Sequence, residues 1–166
     1  GLVNHHYGAG SQKFAQDIVQ LNPIGRSSNR FSPSEPDDYV IFGQPVYSPC
    51  SGIVHSVVDG LIDLPPGTPG DEKNAAGNHI YIQCEGEDVY VLLAHLQQGS
   101  IQVAIGNKVK TGEMAARVGN SGNTTEPHLH IHARRGGNLT DLTDGTGVPI
   151  FYEGIFYSRN DLVNWK

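Results

Sequence analysis

PHLHIH, residues 127–132, sets His128, His130 and His132 at alternate positions, with Leu129 and Ile131 between them. The apolar spacers read as a β-strand, in which side chains i and i+2 share a face. The imidazoles would then form a row with a spacing of roughly 6.5 Å. One such histidine would read as a solvated or internally satisfied group. Three of them, after the turn-rich GNSGNTTEP, point to one small site. There one imidazole binds a metal and a neighbour acts on the metal's substrate.

Outward from this stretch the chain reads as short strands and tight turns. NHIYIQC (78–84), the turn EGED (85–88) and VYVLLAHL (89–96) form a hairpin with alternating and fully apolar stretches. QPVYSPCSGIVHSVVDG (44–60) gives two short strands around a turn, and FAQDIVQL (14–21) a first strand. Glycines recur every few residues through 103–123, which suits a coiled sheet with tight corners and excludes a helix. HLHIHARR follows as a strand. SRNDLVNWK (158–166) reads as one or two helical turns capped by Ser158. The expected fold is mainly β: a twisted, mostly antiparallel sheet, with loops around 25–44, 63–77 and 138–154 walling a groove. No repeat or composition shift divides the chain, so residues 1–166 read as one domain.

The 166 residues include 21 Gly and 10 Pro, and the net charge of −6 argues against a nucleic-acid partner. No apolar run approaches the roughly 20 residues of a membrane span. The opening GLVNHHYGAG reads as the start of a mature or trimmed chain without a signal peptide. Cys50 and Cys84 are too few for a cysteine metal site. They read first as two buried free thiols, and otherwise as one disulfide closing a loop of about 35 residues.

Eight histidines occur: His5, His6, His55, His79, His95, His128, His130 and His132. A catalytic zinc takes three protein ligands of histidine or carboxylate type and keeps one position open. Two histidines and an aspartate would satisfy it, and further histidines could move protons. Spacing alone does not say which. Asp37 and Asp38 could imitate a carboxylate ligand but read as solvated loop residues, and His55 and His79 as structural.

The run GNHIYIQCEGEDVYVLLAHLQQGSIQVAIGNKVKTGEMAARVGNSGNTTEPHLHIHA, residues 77–133, resembles the core of the lysostaphin/LytM-type zinc metalloendopeptidases. The resemblance rests on a Gly-Asn before a strand, an AHL turn, a V-x-x-G-x-x-V-x-x-G segment and GNSG followed by PHLH. PVYSPCSGIV and AQDIV extend it to about residues 12–133.

That resemblance implies a duplicated-hybrid-motif-like sheet and a zinc ion held by a histidine and Asp17 of a first motif and by His130. It implies His95 and His128 as catalytic residues that do not bind metal. Lys13 stands where the family's tight H-x3-D would put the first histidine. The ligand then comes from His5 or His6, and the spacing of Asn4, His6, Gln12, Ala15 and Asp17 favours His6. His132 lies where many relatives have Glu and reads as supporting the site. Leu93 replaces a Tyr common before AHL and is expected to alter the substrate wall. The implied activity is hydrolysis of peptide bonds, in peptidoglycan cross-links, by a secreted, periplasmic or cell-envelope enzyme. The alternative is an inactive relative that binds or activates a cell-wall partner. A lipoyl- or biotinyl-carrier barrel shares the glycine spacing, but its lysine is missing: Met114 and Ala115 occupy that tip.

Overall fold

The computed structural model describes residues 2–5, 10–158 and 160–163, with side chains from residue 10 onward. The described residues form eleven strands: β1 (Leu2–His5), β2 (Gln16–Val19), β3 (Pro45–Tyr47), β4 (Gly52–Val58), β5 (Asn78–Cys84), β6 (Val89–Leu96), β7 (Lys108–Val109), β8 (Met114–Arg117), β9 (Leu129–Arg135), β10 (Thr146–Val148) and β11 (Asp161–Leu162). Nine form one sheet in the order β11-β1-β2-β9-β6-β5-β4-β7, with β10 also on β9; β3 and β8 form a second. All pairings are antiparallel, and the described residues contain 3-10 turns but no α-helix. The mainly β, antiparallel expectation is met.

The period-two alternation of the strands sorts the two faces of the large sheet. Ile80, Ile82, Val91, Leu93, Ile131 and Ala133 face the small sheet and pack with Val46, Ala115, Ala116 and Val118 in the main core. Tyr81, Leu92 and Ala94 occupy the opposite face with Ala76. His130, His132 and Arg134 alternate with Ile131 and Ala133 along β9, so they too lie on that second face. Leu93, 1 % exposed in the main core, therefore does not touch a groove on the histidine face; its neighbours Leu92 and Ala94 do. The expectation that Leu93 alters the substrate wall is corrected on this ground.

The motif residues before β5 and after β8 join two segments distant in sequence. Asn78 donates from Nδ2 to the carbonyls of Leu61 and Leu96, and its Oδ1 accepts from Leu61 N–H. Asn78 N–H reaches Ser121 Oγ, which donates onward to Leu96 O. Gly77 and Gly122 have φ of 60° and 83°, and a Cβ on either would strike the other segment's backbone.

Four further expectations are corrected. The strand expected first, at 14–21, is the second, after β1, and covers only Gln16–Val19, because a 3-10 turn takes Gly10–Phe14 and Asn22 Oδ1 turns the chain by accepting from the N–H groups of Ile24 and Arg26. The C-terminal stretch makes a short strand on β1 rather than a helix; Asn160, at φ 69°, breaks a right-handed path, and Ser158 is held by the Asp161 carboxylate. Residues 159 and 164–166 of that expected helix lie outside the described residues. Cys50 and Cys84 are joined in a disulfide, with Cα atoms 5.7 Å apart, because antiparallel pairing brings Cys84 opposite Gly52. Asp38 is buried rather than solvated: it accepts from the N–H groups of Ser34 and Glu35 and pairs with Arg30 at 2.7 Å. Those two N–H groups, with Arg30 adding to them, hold its carboxyl below the usual range.

Candidate active site

Three adjacent strands place the polar centre. Asp17 of β2 is in register with His130 of β9, and His130 with Ala94 of β6, the residue before His95. Asp17 Oδ1 lies 2.9 Å from His130 Nδ1 and 3.5 Å from His128 Nε2. A carboxylate only accepts, so His130 Nδ1–H donates to it. The other ring nitrogen, Nε2, lies 3.0 Å from Nδ1 of His132, which is fully buried.

His128 sits just ahead of β9 and is oriented by a turn instead of by the pleat. Its Nδ1 donates to Glu126 O at 2.8 Å, with Thr124 Oγ1 at 3.2 Å. His95, next to last in β6, has φ 58°, a left-handed conformation unusual outside glycine. Its backbone is held on both sides, by N–H to Ala76 O and by its carbonyl accepting from Gly119 N–H. Its Nδ1 donates to Ser121 O at 2.9 Å. The His95 ring centroid is 4.7 Å from that of His128 and 5.8 Å from that of His130. His130 and His132 follow at 5.3 Å. Burial pushes the His95 pKa well below the ordinary histidine value, and the neighbouring His128 and His130 add to the shift. His95 is therefore uncharged at neutral pH, with its proton on Nδ1.

Asp17, His95, His128 and His130 line a cavity of about 350 Å³ whose other walls include Gln12, Ala75, Thr124 and Leu142. Of the expected wall loops, 63–77 and 138–154 contribute to it, while part of 25–44 lines a separate hollow with Glu126. His55 and His79 stand apart: His55 packs edge-on to Tyr90, and His79 Nδ1 donates to Gly77 O. Thr124 and the carbonyls of Ser121 and Glu126 were not singled out from the sequence, since carbonyl partners leave no mark on residue type.

Asp17 and His130 suit a zinc ion by donor type. Tetrahedral ligands at ordinary zinc distances stand about 3.3 Å apart, close to the 2.9 Å seen here. The outward hydrogen bond of His130 to His132 is the support that metal-bound imidazoles usually have. Among the described residues no group of three or more His, Cys, Asp or Glu is arranged to hold a metal. His6 lies outside the described residues. The backbone of His5 is opposite Gln16, and that of Asn4 is opposite Asp17.

The fold has relatives among solved structures. The catalytic domain of EnpA, a prophage-encoded M23 protein from Enterococcus faecalis studied as a point mutant, aligns with a TM-score of 0.54 and 22 % identity, covering 89 % of this chain and 86 % of that one. The antimicrobial peptidase lysostaphin from Staphylococcus simulans aligns with a TM-score of 0.56 and 17 % identity, over 88 % of this chain and 46 % of lysostaphin. Its separate catalytic domain gives 0.53 and 17 %, over 89 % and 86 %. At these identities the likeness is one of fold. Family membership rests on the sequence match over residues 38–142, which takes in Asn78, the AHL turn and the PHLHIH stretch: the chain belongs to peptidase family M23.

Proposed function

We propose that this chain, as one domain spanning residues 1–166, is a zinc-dependent endopeptidase that hydrolyses peptide bonds in bacterial peptidoglycan cross-links. The observation that carries the reading is the meeting of Asp17, His95, His128 and His130 around one cavity in a chain of a peptidase family. Asp17, His130 and His6 would hold the zinc. His6 is taken over His5 on the spacing of Asn4, His6, Gln12, Ala15 and Asp17 along the chain. Bound zinc supplies Lewis acidity at the scissile carbonyl and activates water near neutral pH.

The rest of the chemistry falls to the chain. His132 steadies the His130 ring through Nε2, so that Nδ1 stays turned towards Asp17. His95 and His128 both keep Nδ1–H on a backbone carbonyl, which leaves Nε2 as the atom that gains or gives a proton. Each can accept a proton at Nε2 and then donate it to the tetrahedral oxyanion or the departing amine. His95 begins uncharged, as a proton acceptor must. A secreted, periplasmic or envelope location fits such a substrate, and the Cys50–Cys84 disulfide fits an oxidising compartment.

The test is metal analysis joined to digestion. Purified protein is expected to carry zinc and to release new amino termini from cell walls; comparing glycine-bridged with diaminopimelate-linked walls identifies the bond. Asp17→Ala and His130→Ala should lose metal and cleavage together. His95→Ala and His128→Ala should keep zinc and lose at least about a hundredfold in turnover. Full zinc occupancy in Asp17→Ala would show that the ligand set is wrong, and His6→Ala beside His5→Ala decides the third ligand.

A further inference from the structure

Arg134, near the end of β9, has no solvent exposure. A buried cation is costly unless closely compensated. Among the described residues no carboxylate forms an ion pair with it; main-chain carbonyls surround it instead. Nη1 donates to the carbonyls of Asp141 (2.6 Å) and Asp144 (2.7 Å), and Nη2 to that of Asn138 (3.0 Å). The guanidinium also lies over the Tyr81 ring, 5.0 Å from its centroid. The loop closes around this cation with its own side chains. Asp144 accepts from Asn138 N–H, and Asp141 from Thr143 N–H.

What the clamp holds is a wall of the catalytic cavity. Leu142, inside the clamped loop, lines that cavity beside Ala75 and Ala76. The same three residues, with Leu139 and Thr140, line a second cavity of about 390 Å³. The two hollows therefore share a wall along the loop, with Leu142 lining both, so a peptide extended from the histidines in that direction would meet Leu142. The loop is also tied to the turn before Asp17, through Ser11 Oγ to Leu142 O and Ser11 N–H to Thr143 O.

We propose that Arg134 is a positioning residue: an internal cation that folds the 138–144 loop into the groove wall and so governs how firmly a peptide substrate is held beside His130. This rests on the peptidase reading above. Three carbonyls at different points of a loop suit a rigid five-donor fork, whereas a lysine offers a point charge on a flexible stem.

The experiment compares Arg134→Lys, Arg134→Met and Leu142→Ala in the zinc-loaded protein. Both arginine variants are expected to keep zinc and to raise KM about tenfold, with kcat changed by less than about threefold, the pattern of lost binding shared by ground and transition states. Leu142→Ala should raise KM in the same direction. Hydrogen exchange at the Asn138 and Gly145 amides should accelerate in the arginine variants and not in Leu142→Ala. An unchanged KM in folded Arg134→Lys overturns the proposal, as does a fall in kcat accompanied by zinc loss, which would mean that Arg134 acts on the ligand strand. If Arg134→Met does not fold, Arg134→Lys and Leu142→Ala decide. A wild-type protein that binds zinc and cleaves nothing removes the peptidase reading, and the exchange comparison still decides whether the clamp exists.

Discussion

Strand β5 is fastened at both ends, by different chemistry. At its far end Cys84 is bonded to Cys50 beside half-exposed strands. At its near end Gly77 and Asn78 are pressed against Ser121 and Gly122, with Asn78 and Ser121 fully buried. The covalent fastening lies where water would compete for hydrogen bonds. The non-covalent one lies beneath His95, whose Nδ1 is held by the carbonyl of Ser121 itself. Stability can thus be drawn from either end, but the aim of the His95 ring only from the second.

The strongest way to break this contrast is Gly122→Ala. A Cβ there meets the Gly77 backbone, and φ of 83° is unfavourable for alanine by about 1–2 kcal/mol before any collision is counted. The expected outcome is a loss of several kcal/mol in chemical denaturation, with turnover falling as the Ser121 carbonyl moves. A folded Gly122→Ala protein with wild-type turnover would separate the motif from the site.

Removing the disulfide by a double Cys50→Ser, Cys84→Ser change tests the other end. Chain entropy for a loop of about 35 residues sets the expected loss at roughly 3–4 kcal/mol. Turnover at a temperature where the variant stays folded should remain within about twofold of wild type. A matching loss of turnover would mean that the two ends of β5 are coupled.

The same contrast explains what could be read in the sequence. The hairpin 78–96 and the strand after PHLH were legible because alternating apolar residues have one stable use in a half-buried sheet. His128, His130 and Asp17 were recognisable by motif; the sheet register brings Asp17 to His130, and the turn ahead of β9 brings His128 beside them. The buried fastening was visible only as a Gly-Asn and a GNSG, since what it does depends on backbone atoms of two segments over forty residues apart. Arg134 escaped notice for the same reason, because its partners are carbonyls. The disulfide stayed open because two cysteines say nothing of pairing until a register exists. Asp38 looked solvated because its loop is polar, yet two turn N–H groups draw it inward.

The smallest expected effect concerns the pH dependence of the buried fastening. Asp63 is half-buried and accepts from Asn120 N–H at 2.6 Å and Gln98 N–H at 3.1 Å, bracing the segment that carries Ser121. Burial raises its carboxyl pKa, and the two N–H groups only partly oppose the shift. A carboxyl raised in the folded state holds its proton there after the unfolded chain has lost it. Between the unfolded value, near 4, and the higher folded value, the native state binds more protons, so the contribution of Asp63 to stability falls as pH rises and is flat beyond. Denaturant titrations of wild type and Asp63→Asn across pH 3–7 isolate this slope, because the difference between them cancels the carboxyls that do not interact with Asp63, leaving Asp63 and its neighbours Asp59 and Asp37. That difference should drift against wild type as pH rises and then level off, whatever its offset. The double serine change removes no carboxyl: the difference between wild type and that variant should show no such drift. A drift in favour of wild type in the Asp63 series would mean that the two N–H bonds outweigh burial, and that ionised Asp63 strengthens the fastening under His95.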